Sequence, residues 1–214
     1  MSGGTRASQV AATREAILTA AERLFAEHGV TAVSNRQISE AAGQGNNTAV
    51  GYHFGTKTDL VRAIAHRHMT AIEELRRARI EAVGDSSRLR DWVECLVLPT
   101  VDHLGSLGDP TWFARFAAQI LHDPVLRGIV VEESFRAPSL RPVRAGLDRC
   151  LADLPKRARD ERDEMVRELM IVVPAIRETS LAGGTRTSRD TWHDAGVGLV
   201  DAIVGLYRAE ATPD

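Results

Sequence analysis

Cysteine is scarce in this chain. Only two of its 214 residues are cysteine, and Cys95 and Cys150 lie far apart in no CxxC or Cys/His pattern. This usage excludes a disulfide framework and the usual zinc-site spacings. We expect both thiols to be small buried hydrophobic groups, with a redox-sensing pair as the alternative. The sequence therefore predicts neither a bound metal nor a cofactor.

Long apolar runs are missing too. The longest, Met170 to Ile176, contains Pro174 and is far shorter than the roughly 20 residues of a membrane-crossing helix. The N-terminus has no apolar segment of the kind that a secretory signal contains. We expect a cytoplasmic protein with no membrane partner.

Common catalytic motifs are absent as well. The sequence contains no HExxH, GxSxG or GxxxxGKS/T, and no GxGxxG follows a strand-like segment. Asp102 and His103 are adjacent, but neighbours on a helix point about 100° apart. His66 and His68 are two residues apart, so they cannot share a helix face as a metal pair. We predict that the chain is not an enzyme, and a small helical enzyme is the alternative.

The chain also lacks a strong net charge. Its 27 Lys and Arg residues against 29 Asp and Glu residues give a formal net charge of −2. A chain-wide basic field is therefore missing, although duplex binding depends on neutralising phosphates. Arg36 and Lys57 flank one short stretch, where a local basic patch is sufficient. The hydrophobic fraction of 43% still allows a substantial core.

That stretch, from Ser34 to Asp59, predicts two short helices separated by a glycine turn. Ser34 and Gln37 have the spacing of a capping box, so a helix should begin at Asn35 and end at Gly43. Asn46 is the predicted N-cap of a second helix that runs to about Phe54. We call residues 34–55 the reader.

The second helix of the reader has a packing arc and a reading arc. Helical spacing puts on the packing arc Ala49, Val50, His53 and Phe54. It puts on the reading arc Asn47, Thr48, Gly51 and Tyr52. Asparagine can bind an adenine edge, a threonine methyl can touch a thymine methyl, and a tyrosine hydroxyl can reach a phosphate.

A third helix should begin beside the reader. Thr56 can cap it, and its free N–H groups together with the Lys57 ammonium can hold a DNA phosphate. Two short helices, a glycine turn and this phosphate site predict a helix-turn-helix that binds double-stranded DNA. The candidate DNA contacts are Arg36, Gln44, Gly45, Asn46, Asn47, Thr48, Gly51, Tyr52, His53 and Lys57.

Between residues 13 and 60 the segments TREAILTAAERLFAEHGV, ISEAAG, YHFGTK and DL follow one another. They resemble the N-terminal domain of TetR-type (TetR/AcrR) one-component transcriptional regulators. The chain departs from that pattern in a turn that is one residue longer and in Gly51, which stands where the family usually has tyrosine. The register of the base-reading residues is therefore open by one position. The resemblance implies a homodimeric repressor that a small, largely apolar ligand releases from a palindromic operator.

Beyond residue 60 every periodic segment indicates a helix, and none indicates a strand. We expect an all-α fold with a flexible arm at 1–12, a helix-turn-helix DNA-binding domain at 13–60 and a helical ligand-binding and dimerisation domain at 61–210. A long helix that ends at Gly84 should join the two domains. On that helix Arg76, Arg77 and Arg79 predict a solvated face.

Two late segments, residues 160–178 and 188–208, are apolar on most sides, which predicts packing partners on two sides. In the resembling family the last two helices pair across a two-fold axis into a four-helix bundle. The residues expected at a dimer interface are Met170, Val173, Ile176, Trp192, Gly196, Leu199, Ile203 and Leu206.

Aromatic residues make up only 5% of the chain, and several lie in the predicted ligand-binding domain. The candidate pocket residues are Trp92, Cys95, Leu96, Trp112, Phe113, Phe116, His122 and Phe135. The same side chains suit a solid core equally well. A DNA-binding regulator without a small ligand is therefore the alternative.

Overall fold

The computed structural model describes residues 3–46, 48–121, 123, 126–128 and 137–211. Over these ranges it contains helices and no strand, which confirms the predicted all-α fold. The α-helices are α1 (Gly3–His28), α2 (Asn35–Ala41), α3 (Ala49–Phe54), α4 (Lys57–Val83), α5 (Leu89–Ser106), α6 (Phe113–Leu121), α7 (Leu140–Cys150), α8 (Lys156–Ala182) and α9 (Trp192–Arg208). We call α5 to α9 the body. None of the helices in these ranges is long and apolar enough to cross a membrane.

The N-terminal segment differs from the flexible arm predicted at 1–12, because α1 already begins at Gly3. Residues 6–12 are exposed, so this part of α1 projects from the protein. The segment has no proline and no glycine after Gly4, and it contains Ala7, Ala11 and Ala12. Alanine favours the helix, and the packed part of α1 supplies a nucleus from which the helix extends towards the N-terminus.

The buried side chains form two cores. The first joins α1 to α4 with α6 and includes Phe25, Ile38, Val50 and Phe116. The second lies among α5, α7, α8 and α9 around Trp92 and Ile203. Phe25 of α1 and Phe116 of α6 stack with ring centroids 6.3 Å apart. The body helix α6 is therefore part of the core that supports the reader.

Helix α4 connects the two cores, as the sequence predicts. Thr56 and Asp59 form a capping box at its start, and its C-cap Gly84 has a φ of +56°. Leu60 and Ile64 lie in the first core, whereas Ile80 and Val83 pack against the second. A change in the tilt of α4 would therefore displace residues of both cores.

The solvated arginine face predicted on α4 is wrong for Arg76, which is only 5% exposed. Its Nη1 donates to the Ser139 hydroxyl over 3.3 Å, and burial lowers the pKa of its guanidinium. Arg79 also has a partner within the protein, because its Nη2 donates to Asp102 over 2.6 Å. Arg77 alone keeps the predicted exposure, with its side chain 63% exposed. The sequence does not distinguish the three because the acceptors Ser139 and Asp102 are distant in the chain.

Three of the predicted dimer-interface residues are packed inside the protomer instead. Gly196, Leu199 and Ile203 are buried where α9 lies on α5, and a Cβ at Gly196 would overlap the Val101 side chain. Trp192 packs beside Gly105 of α5. Both stripes of α9 are apolar, so the sequence alone did not show which one faces the body. Met170 and Leu206 are half-buried, and Val173 and Ile176 are exposed.

The predicted pocket residues do not line one cavity. Trp92, Cys95 and Leu96 belong to the second core, whereas Trp112, Phe113 and Phe116 belong to the first. Trp92 fills the space that Gly146 leaves open, and its indole N–H donates to the Ser86 carbonyl over 2.8 Å. His122 and Phe135 lie outside the described residues. The aromatic side chains that are described therefore serve as core.

Candidate nucleic-acid interface

The first helix of the reader begins and ends as the sequence predicts. The Ser34 N–H donates to Gln37 Oε1 over 2.8 Å, and the Gln37 N–H donates to Ser34 Oγ over 3.3 Å. Helix α2 ends at Ala41, and Gly43 follows with a φ of +68°. That left-handed conformation favours glycine because a Cβ would clash with the following carbonyl.

The second helix begins two residues later than a cap at Asn46 implies. Helix α3 starts at Ala49, with Thr48 as the N-cap residue and no side-chain capping bond. Asn46 instead closes the preceding turn, because its Oδ1 accepts from the Thr48 N–H over 2.9 Å and from the Thr48 hydroxyl over 2.7 Å. A short polar side chain that bonds two residues ahead favours a turn over a helix. Asn47, the predicted adenine-reading residue, lies outside the described residues.

The two arcs of α3 have the burial that helical spacing predicts. Ala49, Val50 and Phe54 are buried, whereas Thr48 and Gly51 are exposed. The Tyr52 side chain is 82% exposed, and no atom lies within 4 Å of the position where Gly51 would carry a Cβ. Helix α3 therefore presents a threonine, a glycine and a tyrosine on a face that is open to a large partner.

His53 lies between the two arcs and is half-buried. Its ring packs edge-on against Tyr52 with centroids 5.0 Å apart, and its carbonyl accepts a hydrogen bond from Arg14. The Arg14 guanidinium also lies 4.3 Å from the centre of the Phe54 ring. Arg14 therefore fixes the end of α3 from α1, a role that the sequence reasoning missed because the residues are 39 positions apart.

Lys57 does not take the predicted place in a phosphate site. Its ammonium donates to the carbonyls of Val30, over 3.1 Å, and of Val33, over 2.6 Å. Two carbonyls of the α1–α2 loop thus hold the charge, and Lys57 attaches that loop to the start of α4. No sequence pattern indicates this contact because the acceptors are backbone atoms.

The start of α4 is also occupied by an acidic side chain. Asp59 Oδ2 accepts from the Thr56 hydroxyl over 2.6 Å and from the Thr56 N–H over 3.2 Å. The bonds from Thr56 hold the pKa of Asp59 below its usual range. The capping box pairs the N–H groups of Thr56 and Asp59 and places a negative charge at the start of α4. The Asp59 carboxylate therefore disfavours the phosphate that the sequence predicts there.

The remaining candidate contacts are exposed or half-buried. Arg36 has a side chain that is 72% exposed and forms an ion pair over 2.8 Å with Glu40 one turn further along α2. Gln44 is half-buried and donates to the Ala42 carbonyl over 3.2 Å, whereas Gly45 and Asn46 are exposed. An exposed ion pair on one helix contributes little to stability, so Arg36 can exchange Glu40 for a phosphate at small cost.

A buried polar network joins the reader domain to the body, and the sequence reasoning did not predict it. We call Glu22, Arg67, His68 and His103 the junction network. His68 Nε2 lies 2.8 Å from Glu22 Oε2, and His68 Nδ1 lies 2.8 Å from His103 Nε2. Arg67 also forms an ion pair with Glu22. Because carboxylates accept, the His68 Nε2–H donates to Glu22 and the His103 Nε2–H donates to His68.

Burial, followed by the neighbouring His68, lowers the pKa of His103 to about 4. The Phe113 ring of α6 covers the network and stacks on His68 with centroids 3.8 Å apart. Glu178 of α8, itself buried, accepts from the N–H groups of Ala114, over 3.3 Å, and of Arg115, over 2.8 Å. Buried polar contacts therefore join α1, α4 and α5, and likewise α6 and α8, and the Phe113 ring links the two groups. His68 lies at apolar spacing between Ile64 and Ile72, which was the available sign of its burial.

With α2, the glycine turn, α3 and the bracing helices α1 and α4 in place, the N-terminal part is a helix-turn-helix domain. Residues 17–64 match the family described as bacterial regulatory proteins, tetR family. The match lies within the helix-turn-helix domain.

One curated relative is similar over the same part of the chain. It is the HTH-type transcriptional repressor AcnR of Corynebacterium glutamicum, 36% identical over 63 residues. The similarity covers 29% of this chain and about a third (33%) of that relative.

Two solved structures resemble the whole described fold. Mycobacterium smegmatis AmtR has a TM-score of 0.60 at 19% identity, over 93% of this chain and 87% of that one. The TetR family transcriptional regulator PfmR from Thermus thermophilus has a TM-score of 0.51 at 17% identity, over 92% and 96% of the two chains. Likeness at such identities is a likeness of fold.

Proposed function

We propose that this chain is a DNA-binding transcriptional repressor whose reader contacts the operator with the exposed face of α3. The observation that carries the proposal is the division of α3 into a buried arc and an open arc of Thr48, Gly51 and Tyr52. Recognition helices of this motif enter the major groove with such a face. The family of the N-terminal domain and the repressor of similar sequence support the same conclusion.

Selection of bound duplexes from a random pool, followed by titration of the best duplex, tests the proposal. Thr48→Ala should lower affinity for the selected duplex about 10-fold and relax preference at one base pair per half-site, because it removes a methyl and a hydroxyl from the open face. Tyr52→Phe should weaken all duplexes alike if the hydroxyl contacts a phosphate. Thr185→Ala, an exposed threonine in the loop after α8, is the matched control. Selection that yields no preferred sequence would contradict the proposal.

The second part of the proposal is a homodimer on a palindromic operator. Helix α8 exposes the apolar side chains of Met165 (51%), Val172 (38%), Val173 (37%) and Ile176 (61%). Met165, Val172 and Ile176 are seven and then four residues apart, which places them on one face of the helix. Such a stripe on a surface helix indicates a protein partner. A two-fold pairing through α8 would place two readers symmetrically.

Light scattering at micromolar concentration tests the dimer. Ile176→Glu should convert the protein to a monomer, since it puts a charge on the most exposed residue of the stripe. Val10→Glu changes an exposed apolar residue of α1 and should leave the mass unchanged. A monomeric parent protein would rule out this part of the proposal.

A further inference from the structure

The junction network connects α4 to its neighbours near the middle of that helix. His68 of α4 bonds His103 of α5 over 2.8 Å and Glu22 of α1 over 2.8 Å. Arg67, the preceding residue of α4, forms an ion pair with the same Glu22 carboxylate. Helices α1 and α4, which brace the reader, are therefore joined to α5 of the body by hydrogen bonds as well as by apolar packing.

These hydrogen bonds have one satisfied arrangement. Glu22, His68 and His103 are between 2% and 6% exposed, so water cannot readily replace a broken bond. The lowered pKa of His103 keeps that ring uncharged near neutral pH, where it has a single ring N–H to donate. An apolar contact survives a small shift between helices, but a shift that separates these atoms leaves a buried polar group without a partner. The network therefore favours one position of α4 against α5.

A small rotation of α4 at the network moves the reader by a distance comparable with one base pair. From Lys57 to His68 the helix rises by about 17 Å, at about 1.5 Å a residue. A rotation of about 5° at His68 therefore shifts the start of α4 by about 1.5 Å. In a two-fold dimer both readers move, so their separation changes by up to about 3 Å, close to the rise of about 3.4 Å per base pair.

The separation of the two readers determines which palindromes a dimer can bind. Both half-sites are bound together only when their spacing matches that separation. A dimer whose readers keep one separation therefore prefers one spacing, and a dimer whose readers move freely accepts several. Binding of a single half-site involves one reader and is independent of the separation.

We propose that the junction network sets the separation of the two readers and thereby the half-site spacing of the operator, with His103 as the positioning residue. His103 lies in the body, outside the reader, and acts on DNA only through His68 and α4. This role of His103 rests on the proposed dimeric repressor and specifies the geometry of its DNA partner.

Three kinds of duplex test this role: the selected palindrome, versions with one base pair inserted or removed between its half-sites, and a single half-site. The parent should prefer the selected spacing by at least about 10-fold. His103→Leu fills the buried position with a side chain that has no hydrogen to donate. It should bind the selected palindrome about 10-fold more weakly than the parent and all three spacings within about threefold of one another. Its affinity for the single half-site should equal that of the parent, because the reader is unaltered.

Two polar variants separate the hydrogen bond from the volume of the ring. His103→Gln carries an amide N–H at the ε position, where the imidazole has its donor, and should restore the parent's spacing preference. His103→Asn is one bond shorter and should behave like His103→Leu. His193→Leu is the matched control, because that histidine bonds Asp102 from α9, outside the network, and should leave the preference unchanged. If His103→Leu does not fold, the comparison of His103→Gln with His103→Asn provides the same test.

The separation of the readers can also be measured without DNA. A spin label at Ala32→Cys, an exposed position in the α1–α2 loop, reports the distance between the two readers of a dimer. Cys150→Ser removes the half-buried native thiol from this background. We expect one narrow distance distribution for the parent and for His103→Gln, and a shifted or broader distribution for His103→Leu.

An unchanged spacing preference or distance distribution in His103→Leu would overturn the role of the network, as would a preference that His103→Gln does not restore. Equal losses of affinity for the palindrome and for the single half-site would also overturn it, because they indicate damage to the fold alone. The proposed function is judged on the parent. A parent that binds the palindrome no more tightly than the single half-site contradicts the dimeric repressor, whereas a parent and a His103→Leu variant with the same preference contradict only the role of His103.

Discussion

In the reader, the start of α2 and the turn before α3 are closed by neighbouring exposed side chains, whereas in the body distant buried charges close the start of α6 and the end of α9. Ser34 bonds Gln37 and Asn46 bonds Thr48, each within three residues. In the body, Glu178 caps α6 from 63 residues away, and Arg162, only 8% exposed, donates over 2.9 Å to the Tyr207 carbonyl at the end of α9. Local closures leave the reader surface free for a partner, and distant ones fix the arrangement of the body helices.

The largest difference in stability is expected between variants of Glu178 and of Ser34. Glu178→Leu leaves two backbone N–H groups and the Arg115 Nε without their acceptor, so the free energy of unfolding should fall by about 4 kcal/mol. Ser34→Ala removes one exposed cap and should cost about 1 kcal/mol. Urea unfolding at pH 7 measures both. Similar losses for the two variants would show that burial does not separate the two regions as described.

Alanine substitutions at two glycines, Gly146 and Gly51, should change stability in opposite directions. A Cβ at Gly146 would overlap the Trp92 ring, so Gly146→Ala should destabilise the body by about 3 kcal/mol through overpacking. Gly51→Ala meets no atom within 4 Å and should raise stability by up to about 1 kcal/mol, because alanine favours the helix. The same variant should weaken duplex binding, since the open face of α3 loses room. Thermal unfolding and duplex titration of both variants test this pair.

Replacing Lys57 should have a smaller effect on stability. It distinguishes a lysine that holds the α1–α2 loop from one that contacts a DNA phosphate. Lys57→Met keeps most of the side-chain stem but loses both bonds to the α1–α2 loop, and should cost about 2 kcal/mol of stability. Because the ammonium faces carbonyls, the dependence of duplex affinity on salt should stay as in the parent. If duplex affinity depended less on salt in the variant and stability were unchanged, Lys57 would contact a DNA phosphate after all.

The smallest expected effect is a pH dependence from the junction network. The unfolded chain takes up a proton on His103 near its ordinary pKa of 6.5, but the folded protein does so only near pH 4. The unfolded state therefore binds more protons between these values, and stability is complete above pH 6.5 and is lost as the pH falls towards 4. We expect a loss of about 1 kcal/mol between pH 7.5 and 5.5. His103→Gln should reduce that slope in urea unfolding measured at both values.

The fold class and much of the reader were predictable because their signals are local. A capping box needs partners three residues apart, and the buried and exposed arcs of α3 follow from the helical period alone. The start of α3 was missed because Asn46 has two local options, a helix cap and a turn. Lys57 and Glu178 were beyond prediction because their acceptors or donors are backbone groups brought close only by the fold. Gly196 and Leu199 were misplaced because apolar spacing identifies a stripe but not its partner.

The contacts that fix α3 are separate from its open face, so the preferred DNA sequence can be changed without loosening the helix. The helix is fixed by its buried arc, by Arg14 at its end and by Lys57 behind the preceding loop, and none of these groups belongs to the open face. Gly51 and Tyr52 can therefore be randomised together as a cassette, with Thr48 kept because its hydroxyl bonds Asn46 in the preceding turn. A library at these two positions should retain the parent's melting temperature in most members while its members diverge in preferred duplex.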